Sequence, residues 1–583
     1  MPNNTTLHLQ NPYGRQNLSL NGEWSAIVDP YDNGYIDYRY QPHTVEGYFA
    51  NRKPTSPSDR VEYDFDRSEA LQVPGDWNSQ RRELFFYEGT VWYKRDLPSK
   101  PSGDRRVFLW FGAANYEAKI YVNGFLAGEH TGGFTSFAVE VTKWLREAEN
   151  FVVVRVNNQR RSDGVPTLNT DWWNYGGLTR DVQWVETPGA FIVDYSVQLE
   201  KGQLDKITGW VKLDGPTKEM VFTLAIPELG VTVTATADET GTGHFEFYAP
   251  VELWSPENPR LYGVRIMTAD DTVEDRIGFR NVQTRGCDIL LNGQPVFLRG
   301  ISIHEQAPLR EGRAHSEADA RQLLGWAKEL GCNFVRLAHY PHNSHMLRIA
   351  DELGLMVWAE IPVYWTIEWD NPETLENAKQ QLVEMIERDK NRASVVIWSV
   401  GNETPLSESR LHFMGELAKA ARKMDSSRLI SAALERQEID PHTQMIVDPL
   451  GLHLDVLGCN AYLGWYDGLP DRPDGVTWQT ALDKPLIMTE FGADALQGNH
   501  GDALTRWTEE YQASVYEHQI AMLEKIPFLR GITPWILTDF RSPRRPLPGI
   551  QDYWNRKGLI SERGEKKQAF YVLQKFYERM ARR

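Results

Sequence analysis

From about Arg285 to the end of the chain, short apolar runs alternate with longer amphipathic stretches, and no other feature limits the fold as strongly. There are eight such runs: VFLRGIS, NFVRLAH, LMVWAEI, SVVIWSV, RLISAAL, DVLGCNA, PLIMTEF and GITPWIL. Between them lie SEADARQLLGWAKEL, NAKQQLVEMIERDK and SRLHFMGELAKAARKM, with apolar residues at helical spacing, and KKQAFYVLQKFYERM comes last. Strands buried on both faces read as continuous apolar runs, and parallel strands need helical crossovers. Eight β-then-α units over about 300 residues predict a (β/α)8 barrel.

Upstream the pattern is purely β. From Asn17 to about Thr187 short runs such as RVFLWFGA, AKIYVNGFLAG, NFVVVRVNNQ and DVQWVE alternate with turn residues. Asn123-Gly124, between the alternating stretches of AKIYVNGFLAG, is a hairpin signal, since both residues tolerate the positive φ a tight turn needs. A β-sandwich is expected here. From about Pro188 to Gln283 strands recur about every ten residues, the spacing of a seven-stranded immunoglobulin-like sandwich. The expected division is 1–187, 188–283 and 284–583, with the middle module as a spacer.

The 583 residues include 63 basic and 80 acidic side chains, a net charge of −17 that argues against nucleic acid as a partner. Cys287, Cys332 and Cys459 are too few and too scattered for a disulfide scaffold, and their apolar neighbours suggest buried thiols. No 18-residue apolar segment and no basic-then-apolar leader is visible, so no membrane span and a cytoplasmic address are expected. The 20 Trp and 24 Tyr are mostly core residues, although such rings also stack on sugar faces.

In a (β/α)8 barrel the chemistry sits at the carboxyl ends of the strands. The fourth run ends in Gly401-Asn402-Glu403 and the seventh in Glu490-Phe491-Gly492. Two carboxylates facing each other across the mouth can cleave a glycosidic bond, one protonating the leaving oxygen while the other attacks the anomeric carbon. Glu403 is the candidate acid and then base, which requires a raised pKa; Glu490 is the candidate nucleophile. Asn402 could hold the sugar 2-hydroxyl.

The stretch from Asn333 to Pro362, followed by VVIWSVGNE and IMTEFG, resembles glycoside hydrolase family 2 over nearly the whole chain. The resemblance implies a jelly-roll β-sandwich, an immunoglobulin-like sandwich and a catalytic barrel, and a retaining exo-β-glycosidase that needs no cofactor. By motif, Tyr462 matches a tyrosine that hydrogen-bonds the nucleophile. His304 and His339 match residues lining the sugar pocket, Trp535 an aromatic platform, and Asp171 in TDWWNYGG an acidic residue sent in from the first sandwich. Family members are often oligomeric, which makes a homo-oligomer an expectation.

After the eighth run comes DYWNRKGLIS. Asn555 and Lys557, two apart in an extended segment, project to one side and can converge on a carboxylate. This Asn-x-Lys pair resembles the uronate motif of the family's β-glucuronidases, and Tyr466 matches a tyrosine that assists it. A neutral hexose is expected to leave the lysine unpaired. The expected substrate is thus a glycoside with a terminal uronic acid, glucuronate foremost. A β-galacturonidase, a β-galactosidase and a noncatalytic carbohydrate-binding protein are the alternatives. Gln551 stands where some β-glucuronidases have arginine, and Arg541, Arg544 and Arg545 in RSPRRPLPGIQDYW either meet an anionic leaving group or belong to a solvated loop. His339, His342 and His345 are spaced as H-x-x-H-x-x-H, but Pro341 breaks the helix that would align them, and no metal is expected.

Overall fold

All eight apolar runs contribute strands, and the strands close on themselves. In the computed structural model, which describes residues 6–43, 55–58, 63–216 and 219–582, the barrel strands are β1 (Leu298–Ile303), β2 (Phe334–Leu337), β3 (Met356–Glu360), β4 (Val395–Asn402), β5 (Leu429–Leu434), β6 (Leu457–Asn460), β7 (Leu486–Glu490) and β8 (Leu529–Ile532). They pair in parallel in chain order, and β8 closes on β1 through Leu298↔Gly531 and Arg299↔Ile532. Every residue of β2, β3, β4, β5, β6 and β7 is buried, which is why these segments carry no alternation.

The eighth strand lies earlier than GITPWIL suggests, ending at Ile532. Pro534 cannot donate to a ladder, and the chain there turns instead to the mouth, where the Trp535 amide bonds the Phe491 carbonyl at 2.9 Å. Gly492 makes this approach possible: its φ is +148°, and a Cβ would sit 2.6 Å from the Trp535 carbonyl oxygen. At the opposite end a small antiparallel sheet, Val282–Arg285, Asp288–Leu291 and Gln294–Pro295, packs Val282, Ile289 and Leu291 against Phe334, Met356, Trp358 and Ile487.

The helices follow the amphipathic stretches. Glu317–Glu329 opens with a capping box in which Ser316 and Asp319 satisfy each other's backbone N–H, and Glu408–Met424 is capped by Ser407. Pro372 starts Pro372–Asp389 at the first helical position, with the Asn371 side chain accepting from Glu373 N–H.

The first sandwich packs a six-stranded sheet on a four-stranded one. Its hairpin pairs Val122 with Phe125 across Asn123 and Gly124, whose φ values are +52° and +89°. The second sandwich has three plus four strands; in its last strand, Thr272–Ile277, Val273 and Ile277 are buried and Thr272, Glu274 and Arg276 exposed. Cys332 and Cys459 are buried, but Cys287 is only half-buried and its thiol bonds Asp483, so its apolar neighbours misled: they belong to the next strand, not to the turn that carries it. Among the described residues no helix is long and apolar enough to cross a membrane.

The segment 171–180 of the first sandwich is fixed to the barrel rim. Arg180 donates to both oxygens of buried Glu305 at 3.0 and 3.1 Å and to the Pro341 carbonyl at 2.6 Å, and the Tyr175 hydroxyl reaches Gln306 at 3.1 Å. The Trp173 amide bonds the Arg541 carbonyl at 3.0 Å. These bonds carry a loop of one domain over the mouth of another.

Candidate active site

The strands bearing both candidate carboxylates gain a residue at their tips. Between Ser399 and Asn402 β4 slips by one against β5, and between Met488 and Glu490 β7 slips by one against β6. An extra residue re-aims the next side chain without disturbing the strand below it. Beyond the slip, Asn402 N–H bonds Val363 O at 2.9 Å and Trp365 N–H bonds Asn402 O at 3.0 Å, so the β3–β4 pairing continues past the strand ends. Glu403 and Trp365 both take left-handed backbone, with φ +48° and +54°. Such conformations cost on the order of 1–3 kcal/mol and persist only where surroundings impose them. Here they bring the Trp365 Nε1–H to Glu403 Oε2 at 2.9 Å.

Glu403 and Glu490 occupy contrasting environments. Glu403 accepts from Trp365 and, on Oε1, from Asn460 Nδ2 at 2.8 Å. Burial first, then the neighbouring charge of Glu490, push its pKa up to about 7, against the pull of those two hydrogen bonds and of Arg336. Glu490 instead faces a full positive charge: Oε1 accepts from Arg336 Nη1 at 2.7 Å, and Oε2 accepts from the Tyr462 hydroxyl at 2.6 Å. Burial and that carboxylate together keep the Tyr462 phenol well above its usual pKa, so it remains a donor.

Arg336 organises the floor. Wholly buried, it also donates to Glu360 at 3.1 Å and to Asn402 Oδ1 at 2.8 Å. Burial works to raise the Glu360 pKa, but Arg336 and then His339 outweigh it and hold it at about 2. Asn402 Oδ1 also accepts from Asn460 at 3.2 Å, while Asn402 Nδ2 is buried without a hydrogen-bond partner among the described residues. An orphaned buried donor costs about 1–3 kcal/mol, so a ligand hydroxyl placed there recovers it.

Aromatic residues line the walls. His339 stacks on Trp535, with centroids 4.8 Å apart at 22°, and its Nδ1 lies 2.9 Å from Glu360 Oε1. His304 Nδ1 meets the Tyr340 hydroxyl at 3.1 Å, leaving buried Nε2 without a partner among the described residues; burial first and then His339 drive its pKa well below normal, so its ring is neutral. Trp172, delivered from the first sandwich, packs edge-on to Tyr364 at 4.9 Å and beside both histidines.

The Asn-x-Lys segment is buried beside this pocket. Asn555 pairs with Phe540 across a two-stranded ribbon whose tip, residues 542–553, is the Arg/Pro-rich stretch. Lys557 donates to the Tyr466 hydroxyl at 2.9 Å and is ion-paired with Asp494. The lysine therefore has a protein partner whatever sugar is bound, which corrects the expectation that a neutral hexose leaves it unpaired; Asp494, four residues beyond Glu490, folds back under the ribbon and supplies the counter-charge. Burial opposes the Asp494 carboxylate, but Lys557 and then Arg545 bring its pKa below normal. An ammonium has three N–H donors, and these two contacts leave one for a ligand.

Asp171 reaches the same corner. It accepts from Ser542 Oγ at 2.5 Å, from Arg545 Nε at 3.1 Å and from Asn555 Nδ2 at 3.3 Å. The three loop arginines thus part ways: Arg545 pairs with Asp171, Arg541 with Glu311 at 2.7 Å, and Arg544 lies over the Trp365 ring at 4.8 Å. The three spaced histidines also diverge, with His342 bonding Ala338 O and His345 facing Asp181.

Glu403, Asn402, Glu490, Tyr462, His304, His339, Trp535, Asp171, Asn555, Lys557 and Tyr466 all line this one mouth. Arg336, Glu360, Asn460, Trp365, Trp172 and Asp494 join them without having been picked out for it, and Arg545 joins as the partner of Asp171. A signal existed for Arg336 and Glu360, each a charge inside an apolar run, NFVRLAH and LMVWAEI. Trp365 and Asp494 sit in loops, where spacing carries no such signal.

Comparison with known proteins agrees with this architecture. The family model described as "Glycosyl hydrolases family 2, TIM barrel domain" matches residues 282–582, the "sugar binding domain" model of the same family residues 18–188, and the "Glycosyl hydrolases family 2" model residues 185–280. A β-glucuronidase of Streptococcus agalactiae is 28% identical over 572 aligned residues, covering 88% of this chain and 92% of that protein. A solved β-glucuronidase of an uncultured Clostridium sp. superposes with a TM-score of 0.83 at 28% identity, covering 97% of this chain and 98% of that one. A solved β-galacturonidase of Eisenbergiella tayi bound to galacturonate shares the fold, with a TM-score of 0.79 at 23% identity over 97% of each chain. The barrel match alone spans more than half of the residues, and the chain belongs to glycosyl hydrolase family 2.

Proposed function

We propose that this hydrolase is a retaining exo-β-glucuronidase. The observation that carries the reading is the contrast between its two carboxyl groups: Glu403, with a pKa of about 7, beside Glu490, which faces Arg336 and the Tyr462 hydroxyl. Glu403 gives its proton to the glycosidic oxygen while Glu490 attacks the anomeric carbon, forming a glycosyl ester and releasing the alcohol. Esterification removes the charge that helps raise the Glu403 pKa. The carboxyl group then ionises more readily and takes the proton from the water that hydrolyses the ester.

The remaining roles follow from what each group has free. Asn402 Nδ2 offers its orphaned donor to the 2-hydroxyl, an interaction that strengthens in the transition state. Trp535, His339 and Trp172 form the walls for one terminal sugar, closed above by segment 171–175 and the ribbon tip. The third N–H of Lys557, with Asn555 and Tyr466 beside it, receives the C6 carboxylate by a charge-assisted bond. That the Streptococcus and Clostridium relatives are β-glucuronidases supports glucuronate as the sugar.

The test is a panel of 4-nitrophenyl β-glycosides: glucuronide, galacturonide, galactoside, glucoside and mannoside. Glucuronide should be cleaved with a kcat/KM far above the others. Preference for galacturonide would move the assignment to the C4 epimer, and no hydrolysis of any member would leave a carbohydrate-binding protein.

The pH profile supplies a second check. The proton on Glu403 is present below pH 7 and lost above it, so kcat/KM on a glucuronide with a poor leaving group should fall about tenfold per pH unit once the pH passes about 7. Glu490→Gln removes the charge that contributes to the raised value. Carbon-13 titration of the Glu403 carboxyl in that variant should give a lower pKa than in the parent enzyme; an unchanged value would mean that the two carboxylates do not interact.

A further inference from the structure

Of the three arginines on the ribbon tip, two are neutralised and one is not. Arg541 has Glu311 and Arg545 has Asp171 as carboxylate partners. Arg544 has none among the described residues: its Nη1 donates to the neutral Asn169 side-chain oxygen, and its guanidinium lies over the Trp365 ring, 4.8 Å from the centroid. Tyr364 packs against that ring as well, with centroids 4.4 Å apart. The Trp365 indole N–H donates to Glu403 Oε2, and so the arginine stands one ring away from the proposed acid.

In a retaining mechanism the acid protonates the leaving oxygen, so whatever lies beyond Glu403 faces the departing group rather than the terminal sugar. We propose that Arg544, with the Trp365 face, forms a leaving-group subsite for an anionic sugar, the anion being a carboxylate or a sulfate. The proposal rests on the glucuronidase reading and extends it to the second residue of the substrate. Guanidinium has five N–H donors and suits both anions; a single bond to Asn169 leaves most of them for a ligand. Arg544 is exposed, as a subsite at the rim must be, and its contacts with the Trp365 ring and Asn169 restrict the side chain before binding. The chain's net charge of −17 repels an acidic oligosaccharide overall, which makes an uncompensated cation beside the acid the local feature needed to accept one.

Three β-glucuronosyl disaccharides test this, with a reducing-end sugar that is neutral, carries a carboxylate or carries a sulfate. The parent enzyme should favour at least one acidic disaccharide over the neutral one in kcat/KM. Arg544→Gln should lower that preference by about tenfold, chiefly through KM, and Arg544→Lys should restore part of it. Added salt should erode the preference in the parent enzyme and not in Arg544→Gln. Which acidic disaccharide responds identifies the anion. Equal kcat/KM on all three, or a preference unchanged in Arg544→Gln, overturns the subsite while leaving the glucuronidase reading intact. Failure to cleave any of them overturns that reading and the subsite together.

Discussion

Glu490→Ala is expected to lower kcat on 4-nitrophenyl β-glucuronide by about 10⁴-fold or more, a rise of about 5.4 kcal/mol in the barrier. No other single change should cost as much, because in the proposed mechanism it removes the atom that forms the covalent bond. Alanine also opens a space beneath the anomeric carbon, bounded by Arg336 and Tyr462. Azide entering that space would attack from the face Glu490 occupied and give a glycosyl azide of inverted configuration. The corresponding azide from Glu403→Ala should have retained configuration, since there the glycosyl ester on Glu490 forms first. Product stereochemistry read by proton NMR separates the two roles; the opposite pairing would exchange acid and nucleophile. Circular dichroism and thermal melting should show both variants folded, since Arg336 keeps Glu360 as a partner when Glu490 is gone.

The second large effect concerns Lys557. Because it is paired with Asp494 and both are 1% exposed, Lys557→Ala acts on stability as well as on substrate. Removing one partner of a buried pair costs about 3–5 kcal/mol, most of it the penalty of the abandoned charge. The single variant should therefore melt well below the parent. Lys557→Met with Asp494→Asn removes both charges and should recover much of that stability. Its kcat/KM on glucuronide should still fall by about 10²–10³-fold, while that on galactoside changes little, since only the uronate loses a charged partner. If glucuronide and galactoside fall in parallel in the double variant, the lysine serves the fold and does not read the C6 carboxylate.

The legible parts of this molecule are those in which chemistry is tied to a repeating pattern. Strands buried on both faces had to be apolar throughout, so eight of them stood out, and a polar residue ending such a run had to emerge at the mouth. Glu403, Asn402 and Glu490 are of that kind. Asp171, His304, His339, Tyr462, Tyr466 and Trp535 came from motif resemblance, not from periodicity, and Asn555 and Lys557 from the alternation of an extended segment together with such a resemblance. The boundary of β8 was misjudged because PWIL reads as apolar strand, although Pro534 and the bond from Trp535 to Phe491 O turn the chain out of the ladder.

The loops were opaque for a physical reason. Whether Lys557 is free or paired depends on where Asp494 folds, 63 residues away in the chain, and whether Arg544 carries an unneutralised charge depends on the side chains that the first sandwich presents. Hydrophobic periodicity encodes burial, a local demand on each residue, and through it the barrel, the sandwiches and the strand tips were already determined by the order of amino acids. Ion pairing and the pKa of Glu403 are sums over neighbours brought together from distant strands and loops, for the ribbon arginines from two domains, and only the packed structure decides which neighbours those are.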